Sequence, residues 1–384
     1  MPNTYQIGRI GRVYAALEGA AYGTAAVLVA GDAVRHLDIK MNQSARNRVN
    51  SPERHAHPSQ IYRFTRRKTA DWMLRGILYP SGTLNTLPDN SLMLESFFGS
   101  KTNVTLATTI AVGGAGTTTA DTLTSAAGLA VGDAIAITHQ DGNIYLVVLQ
   151  TLPGGGVATW LPALPSALTD GQAVKGCITY KFATAIPATS SLNIAHYLTS
   201  KSYEIKGGVP ESFSISVDAN DEVMWEMSGP AKERVRNAQT DPATFTAVGT
   251  APPSGLTGYL QVNATREEFL SASYEMKNGF EVDNVAFGTT AAQAYYRARK
   301  REVTCKFDTM DSNDITIEDL GDSNADATAM VQVGFTSGSI IGIWTPTLEL
   351  SEPDLSDAEE TRRHSYSGIA KGSSGNDELT LIFA

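Results

Sequence analysis

The chain has 384 residues, 42% hydrophobic and 18% charged, with 34 glycines and a net charge of −10 from 40 acidic against 30 basic side chains. Apolar runs recur along the whole length and exclude a disordered chain, and the acidic balance excludes a protein that grips nucleic acid by neutralising phosphates. Low charge with abundant Ser, Thr, Ala and Gly fits short strands joined by tight turns, on surfaces partly covered by neighbours.

In chain order, residues 11–30 mix strand-like alternation with glycine punctuation, and 34–39 are a short apolar run. Residues 41–68 turn basic and irregular, with Arg46, Arg48, Arg54, Arg63, Arg66, Arg67 and Lys68; an exposed loop or hairpin arm is expected. Trp72, Leu74, Ile77 and Leu78 then lead into the turn Pro80-Ser81-Gly82. Asp89 or Asn90 can cap a helix running through Leu92, Met93, Leu94, Phe97 and Phe98, and Gly99 can end it.

Composition shifts at about residue 102. Residues 102–183 carry almost no charge and show short strands at 104–111, 134–139, 144–149, 157–161 and 174–182, separated by glycine turns. That pattern predicts a small β-sandwich or barrel inserted into a larger domain formed by residues 1–101 and 184–384. The second part holds the clearest strands, at 203–206, 212–217, 222–227, 269–276, 281–287, 297–307, 329–335, 340–350, 362–369 and 379–383. Asn278-Gly279 reads as a tight hairpin turn, and 318–329 as a short helix.

Two strands alternate with a polar partner face. Phe213, Ile215 and Val217 share one side while Ser212, Ser214, Ser216 and Asp218 share the other. Val223, Trp225 and Met227 oppose Glu222, Met224, Glu226 and Ser228 in the same way. One reading is an ordinary solvated sheet face. The sharper one is a channel lining whose hydroxyls and carboxylates keep a passing polyanion from sticking.

Chemistry-bearing motifs are thin. His55 and His57 have metal-pair spacing without a third ligand nearby, Gly113 to Gly116 lacks the Lys-Ser/Thr ending of a phosphate loop, and Asp218, Asp221 and Glu222 lack the twelve-residue calcium-loop pattern. No Gly-x-Ser-x-Gly occurs. The expectation is therefore a non-enzyme with no catalytic residue, no metal and no cofactor. Cys177 and Cys305 stand far apart and read as buried thiols in a reducing compartment. Residues 1–11 lack a signal pattern, and the apolar stretch at 27–30 is too short for a bilayer, so synthesis in the cytoplasm and no membrane segment are expected.

The order of features resembles the tail tube protein family of long-tailed bacteriophages. The matching pieces are the basic arm, the run from Trp72 through Pro80-Ser81-Gly82 and Pro88-Asp89 to Phe97-Phe98-Gly99, then Gly207-Gly208-Val209-Pro210 with its serine-lined strand. Tyr274 to Gly279 and the strands at 338–350, 362–369 and 376–383 complete them. The resemblance implies a mainly β fold, two packed antiparallel sheets with one flanking helix, here with an inserted small β domain. It further implies hexameric rings stacked into a tube, located in the virion tail, with Ser212, Ser214, Ser216, Glu222 and Glu226 near the lumen. The arginine arm would reach a neighbouring subunit, and the insert would decorate the outside. Partners would be copies of the chain, tape measure, tail terminator and distal tail proteins, and double-stranded DNA passing without tight binding. Open alternatives are a tail terminator or secretion-tube protein, and an adhesive or carbohydrate-binding β-sandwich using Trp160, Tyr145 and Tyr180 of the insert.

Overall fold

A computed structural model describes residues 11–19, 21–44, 68–113, 116–152, 157–184, 191–199, 201–236, 239–242, 251–266, 269–283, 291–310, 317–323, 325–351, 363–372 and 375–384, with backbone alone at 48–50, 63–65, 267, 316, 354–357 and 362. The fold is mainly β, built from several antiparallel sheets, with two α-helices among the described residues, Ser91–Phe98 and Thr316–Ser323.

The largest sheet branches at strand Ile341–Leu350. Ile341 to Trp344 pair with strand Thr380–Phe383, which continues through Ile178–Phe182 to Gly99–Asn103. Leu348 to Leu350 pair instead with Arg362–Ala370, and from there the order runs Glu302–Met310, Phe269–Lys277, Ser212–Asp218, Met224–Ala231, Ala70–Ile77 and Asp38–Gln43. Pro346 lies between the two pairing segments and has no N–H to give a ladder, which suits a point where the strand changes partners.

Both branches bury their apolar faces in one core. Tyr180, Phe182, Ile343, Leu381 and Phe383 from one branch join Phe213, Ile215, Tyr274, Val303 and Phe307 from the other. Helix Ser91–Phe98 fills the space between. Its Phe97 ring lies 5.2 Å from that of Phe213 and 6.0 Å from that of Phe182. Gly99 ends the helix in the left-handed region at φ 79°, where a side chain would clash. At the other end Asn90 makes no side-chain cap, so the expected capping by its amide is not what starts this helix; the first turn is held by backbone bonds such as Leu94 N–H to Asn90 O.

A five-stranded sheet packs beside this core, in the order Glu233–Arg236, Ser202–Gly208, Leu192–Tyr197, Arg12–Leu17 and Ala33–Val34. Val13, Ala15, Ile194 and Ile205 face the main core, while Tyr14, Ala16, Ala195 and Tyr197 are covered on the opposite face with Leu28. Burial on both faces explains why strand Arg12–Leu17 reads as a run of apolar residues.

Residues 107–176 form their own six-stranded sheet, ordered Ala107–Thr109, Ala173–Gly176, Ala134–Thr138, Ile144–Thr151, Val157–Leu161 and Ala120–Thr122. The margins of the low-charge segment at 102–183 lie outside this sheet. Strands Gly99–Asn103 and Ile178–Phe182 belong to the large sheet, pairing with each other as they enter and leave it. One face of the insert closes on Ile135, Ile137, Val147, Leu149 and Trp160. The other face, through Ala134, Ala136, Leu146 and Val148, lies on Met330, Ile340, Trp344 and Ile382 of the large sheet. The insert is joined to the body by an apolar interface.

Asn278-Gly279 is not the hairpin turn that its sequence suggests. Strand Phe269–Lys277 pairs with Ser212–Asp218 and Glu302–Met310, whereas Phe280–Val282 leaves to pair with Tyr295–Arg297. Gly279 alone takes positive φ, at 67°. Asn278 is buried, and its Nδ2 donates to Phe97 O at 2.9 Å, pinning the end of the helix. Long-range hydrogen bonding replaced the local turn.

Candidate functional site

Period-two alternation along seven adjacent strands, from Asp38–Gln43 to Arg362–Ala370, leaves a single wet face on the large sheet. Its centre is strand Ser212–Asp218. Ser214 stands opposite Glu226 on one side and Glu275 on the other, and Ser216 opposite Met224 and Ser273. Farther out, Ser273 opposes Lys306, which opposes Ser367. Ser212, Ser214, Ser216 and Glu226 line a concavity of about 740 Å³ together with Ser273, Glu275, Thr304, Lys306, Ser351 and Ser367. Directly beneath lie the buried side chains of Phe213, Ile215 and Tyr274.

Glu222 is not part of this group. The strand begins at Met224, and Glu222 is exposed beyond its end, in an isolated bridge to Ser254. Gly255 packs there against the carbonyl of Asp218, where a Cβ would sit 2.0 Å from the oxygen. The neighbouring loop therefore closes the hairpin end and takes Glu222 out of register with the face.

The two central strands carry Ser and acid without Lys or Arg, but their neighbours supply cations. Arg75 stands opposite Glu226, and Lys277 opposite Ser212. Lys277 Nζ lies 3.0 Å from Glu275 Oε1, and this hydrogen bond raises the lysine pKa. Asp308 accepts from Ser271 at 2.7 Å and from Ser365 at 2.6 Å, with Lys306 at 3.7 Å. Burial pushes the Asp308 carboxyl up, but these hydrogen bonds and the lysine outweigh it and hold it below its ordinary value. The face is thus mixed in charge, with the ion pairs Lys277–Glu275 and Lys306–Asp308 set among the hydroxyls.

The arm is a two-stranded ribbon where its backbone is described. Arg48 pairs with Thr65 and Asn50 with Arg63, continuing the two strands at the edge of the large sheet. The side chains of Arg48 and Arg63 lie outside the described residues, as do Arg46, Arg54, Arg66, Arg67, His55 and His57 entirely.

The three aromatics proposed as a sugar platform do not meet at a surface. Trp160 and Tyr145 are buried in the insert, with Trp160 Nε1 donating to Thr118 O at 3.1 Å. Tyr180 belongs to the main core, its hydroxyl on Ser91 Oγ at 2.7 Å. Cys177 and Cys305 are free and buried, and burial pushes the Cys305 thiol up to about 12. Among the described residues no group of three or more His, Cys, Asp or Glu is placed to hold a metal ion, and no helix is long and apolar enough to cross a membrane.

The fold also gathers residues that no motif marks. Arg266 contacts the rings of both Tyr145 and Tyr259, which also pack on each other, and His139, Asp141 and Ser166 converge on the insert although 27 positions separate the outer two. No protein-family model matches the chain, and no curated protein matches it.

Proposed function

We propose that this chain is a structural subunit of a bacteriophage tail tube, forming hexameric rings that stack with the serine-rich face turned to the lumen. The observation that carries the reading is the seven-strand wet face. It is concave at its centre, floored by small hydroxyls, and carries charges of both signs. A polyanion sliding past such a wall meets neither a cationic trap nor a strong barrier. Strand Asp38–Gln43 ends the path with no paired strand on its outer edge among the described residues; Arg234 takes the Met41 carbonyl, and the other edge groups are what a neighbouring copy would pair with. The order of sequence features that resembles the tail tube family points the same way. In this reading the tape measure, tail terminator and distal tail proteins contact the ends and lumen of the tube, and double-stranded DNA passes through in the virion.

Electron microscopy across a range of concentrations tests the assembly, and thiol labelling tests the lining. Because both native cysteines are buried, Ser214→Cys introduces one accessible thiol. A bulky maleimide is expected to label it in dispersed subunits and to be slowed at least tenfold in assembled tubes. A closed dimer or trimer without a channel, or equal labelling before and after tube formation, overturns the reading.

A further inference from the structure

The insert holds an arrangement that a tube wall does not require. The loop between strands Ala134–Thr138 and Ile144–Thr151 carries His139 and Asp141, and the loop after Val157–Leu161 brings Ser166 against them. His139 Nε2 lies 3.0 Å from Ser166 Oγ, and His139 Nδ1 lies 3.1 Å from Asp141 Oδ1. Hydroxyl on Nε2 and carboxylate on Nδ1 is the order in which a neutral imidazole can remove a serine proton while the acid holds the ring.

The Asp141 backbone N–H donates to Nδ1 at 3.4 Å, and the Asp141 carboxylate lies 3.1 Å from the same nitrogen. Burial, the largest single influence, raises the Asp141 carboxyl; hydrogen bonds from Asn143 N–H, the Tyr145 hydroxyl and His139 together outweigh it and lower the pKa to about 2. In the tautomer with its proton on Nδ1, that proton faces the carboxylate and Nε2 accepts from Ser166.

The group is held in place from several sides. Tyr145 presents its ring at 86° to His139, with centroids 5.5 Å apart, while its hydroxyl donates to Asp141 Oδ2 at 2.8 Å. His139 N–H closes the loop on Asn143 O at 2.8 Å, and Gly142 supplies the positive φ of 85° that the turn needs. Ser166 is exposed between two buried anchors, Leu164 and Leu168, whereas His139 is only 4% exposed. Gln140 Nε2 donates to Ser166 Oγ at 2.5 Å and to Ala167 O at 3.0 Å, fixing the loop that carries the serine.

We propose that Ser166, His139 and Asp141 form an acyl-transfer centre that hydrolyses short acyl esters carried on a larger, solvent-borne alcohol. Ser166 Oγ attacks the ester carbonyl carbon as its proton passes to His139 Nε2. The carbon–oxygen bond to the alcohol then breaks, the alcohol leaves with that proton, and an acyl-Ser166 remains. Water gives a proton to Nε2 and attacks the acyl carbon; the carboxylic acid departs and Ser166 regains its proton. Asp141 is a positioning residue. The substrate class follows from exposure: Ser166 stands on a loop crest, where a small acyl group can reach it while the alcohol stays in solvent.

The test uses the full chain, dispersed or assembled, with a fluorophosphonate probe mapped by mass spectrometry and p-nitrophenyl acetate as substrate. Ser166 is expected to be labelled selectively, and Ser166→Ala to abolish both signals. Asp141→Asn is expected to slow labelling by about 100-fold or more at unchanged circular dichroism. His139→Gln is expected to slow labelling by a similar factor and to change its dependence on pH. Labelling of Ser166 no faster than in heat-unfolded protein overturns the proposal, as does a rate and pH profile unchanged in folded Asp141→Asn and His139→Gln variants. Either result leaves the tube reading where it stands, since that rests on a different sheet.

Discussion

Gln332 of the large sheet accepts the backbone N–H of Leu146 in the insert at 2.8 Å. Its own Nε2 donates to Ile144 O at 2.7 Å and to Gly334 O at 2.9 Å, and the Tyr259 hydroxyl donates to Oε1 at 3.0 Å. This fully buried amide spends all its hydrogen-bonding capacity at the seam between the two units. Gln332→Leu leaves several of these groups without partners in an apolar interface, at about 1–3 kcal/mol for each group that stays unpaired. Urea denaturation is expected to show a loss of at least about 2 kcal/mol, and one transition for insert and body together. An unchanged midpoint would mean that the seam does not stabilise the fold.

The same seam makes the insert costly to remove. Its ends adjoin, with Asn103 paired to Ile178, so excision of 107–176 with a short bridge is geometrically simple. It would nevertheless uncover Met330, Ile340, Trp344 and Ile382. The shortened protein is expected to aggregate or bind a hydrophobic dye, checked by light scattering and dye fluorescence.

Arg266 is the cationic clamp on that interface, its guanidinium carbon 4.6 Å from the Tyr145 ring centroid and 4.5 Å from that of Tyr259. Arg266→Ala is expected to cost about 1–2 kcal/mol, and Arg266→Lys to recover only part, because a compact ammonium cannot face both rings while keeping the Nε bond to Gln261 Oε1. Chemical denaturation of the two variants side by side checks the order.

In the main core, Phe213 is fully buried against Phe97, Phe98 and Trp225. Phe213→Ala is expected to cost about 3–5 kcal/mol through lost burial and the cavity left behind. Phe213→Leu should lose less than half of that, measured by the same unfolding curves.

Asp308 gives the wet face an acid sensitivity of known sign. Its folded pKa lies below the ordinary 3.8, so its contribution to stability is present above that value and is lost as pH falls through the lower, folded one. Asp308→Asn is therefore expected to lower Tm at neutral pH by roughly 1–3 °C. The gap to the parent should close below the ordinary carboxylate range. A gap that persists at pH 2 would show that the aspartate acts through something other than its charge.

Where burial is periodic and local, the residues announced their elements. Strand Ser212–Asp218 shows the alternation in its burial, and Gly99 ends its helix as a glycine after Phe97-Phe98 should. Local chemistry misled where a distant partner outweighed it. Asn278-Gly279 looked like a hairpin because the buried bond from Asn278 to Phe97 O comes from a helix far back in the chain. Tyr180 looked like part of the insert, yet its strand pairs with Thr380–Phe383 at the C-terminal end. Glu222 shares the parity of the wet face but lies past the last paired residue.

By itself the sequence determined that this is a mainly β protein with a low-charge inserted unit and a strand of alternating serines. Those are properties of period, composition and turn residues, which act between near neighbours in the chain. Tertiary structure alone decided that cations from flanking strands temper the acidic face, that the insert is cemented to the body through Gln332 and Arg266, and that Ser166 meets His139. Each of these depends on which strands become neighbours, and that choice is made by the burial of whole faces against one another.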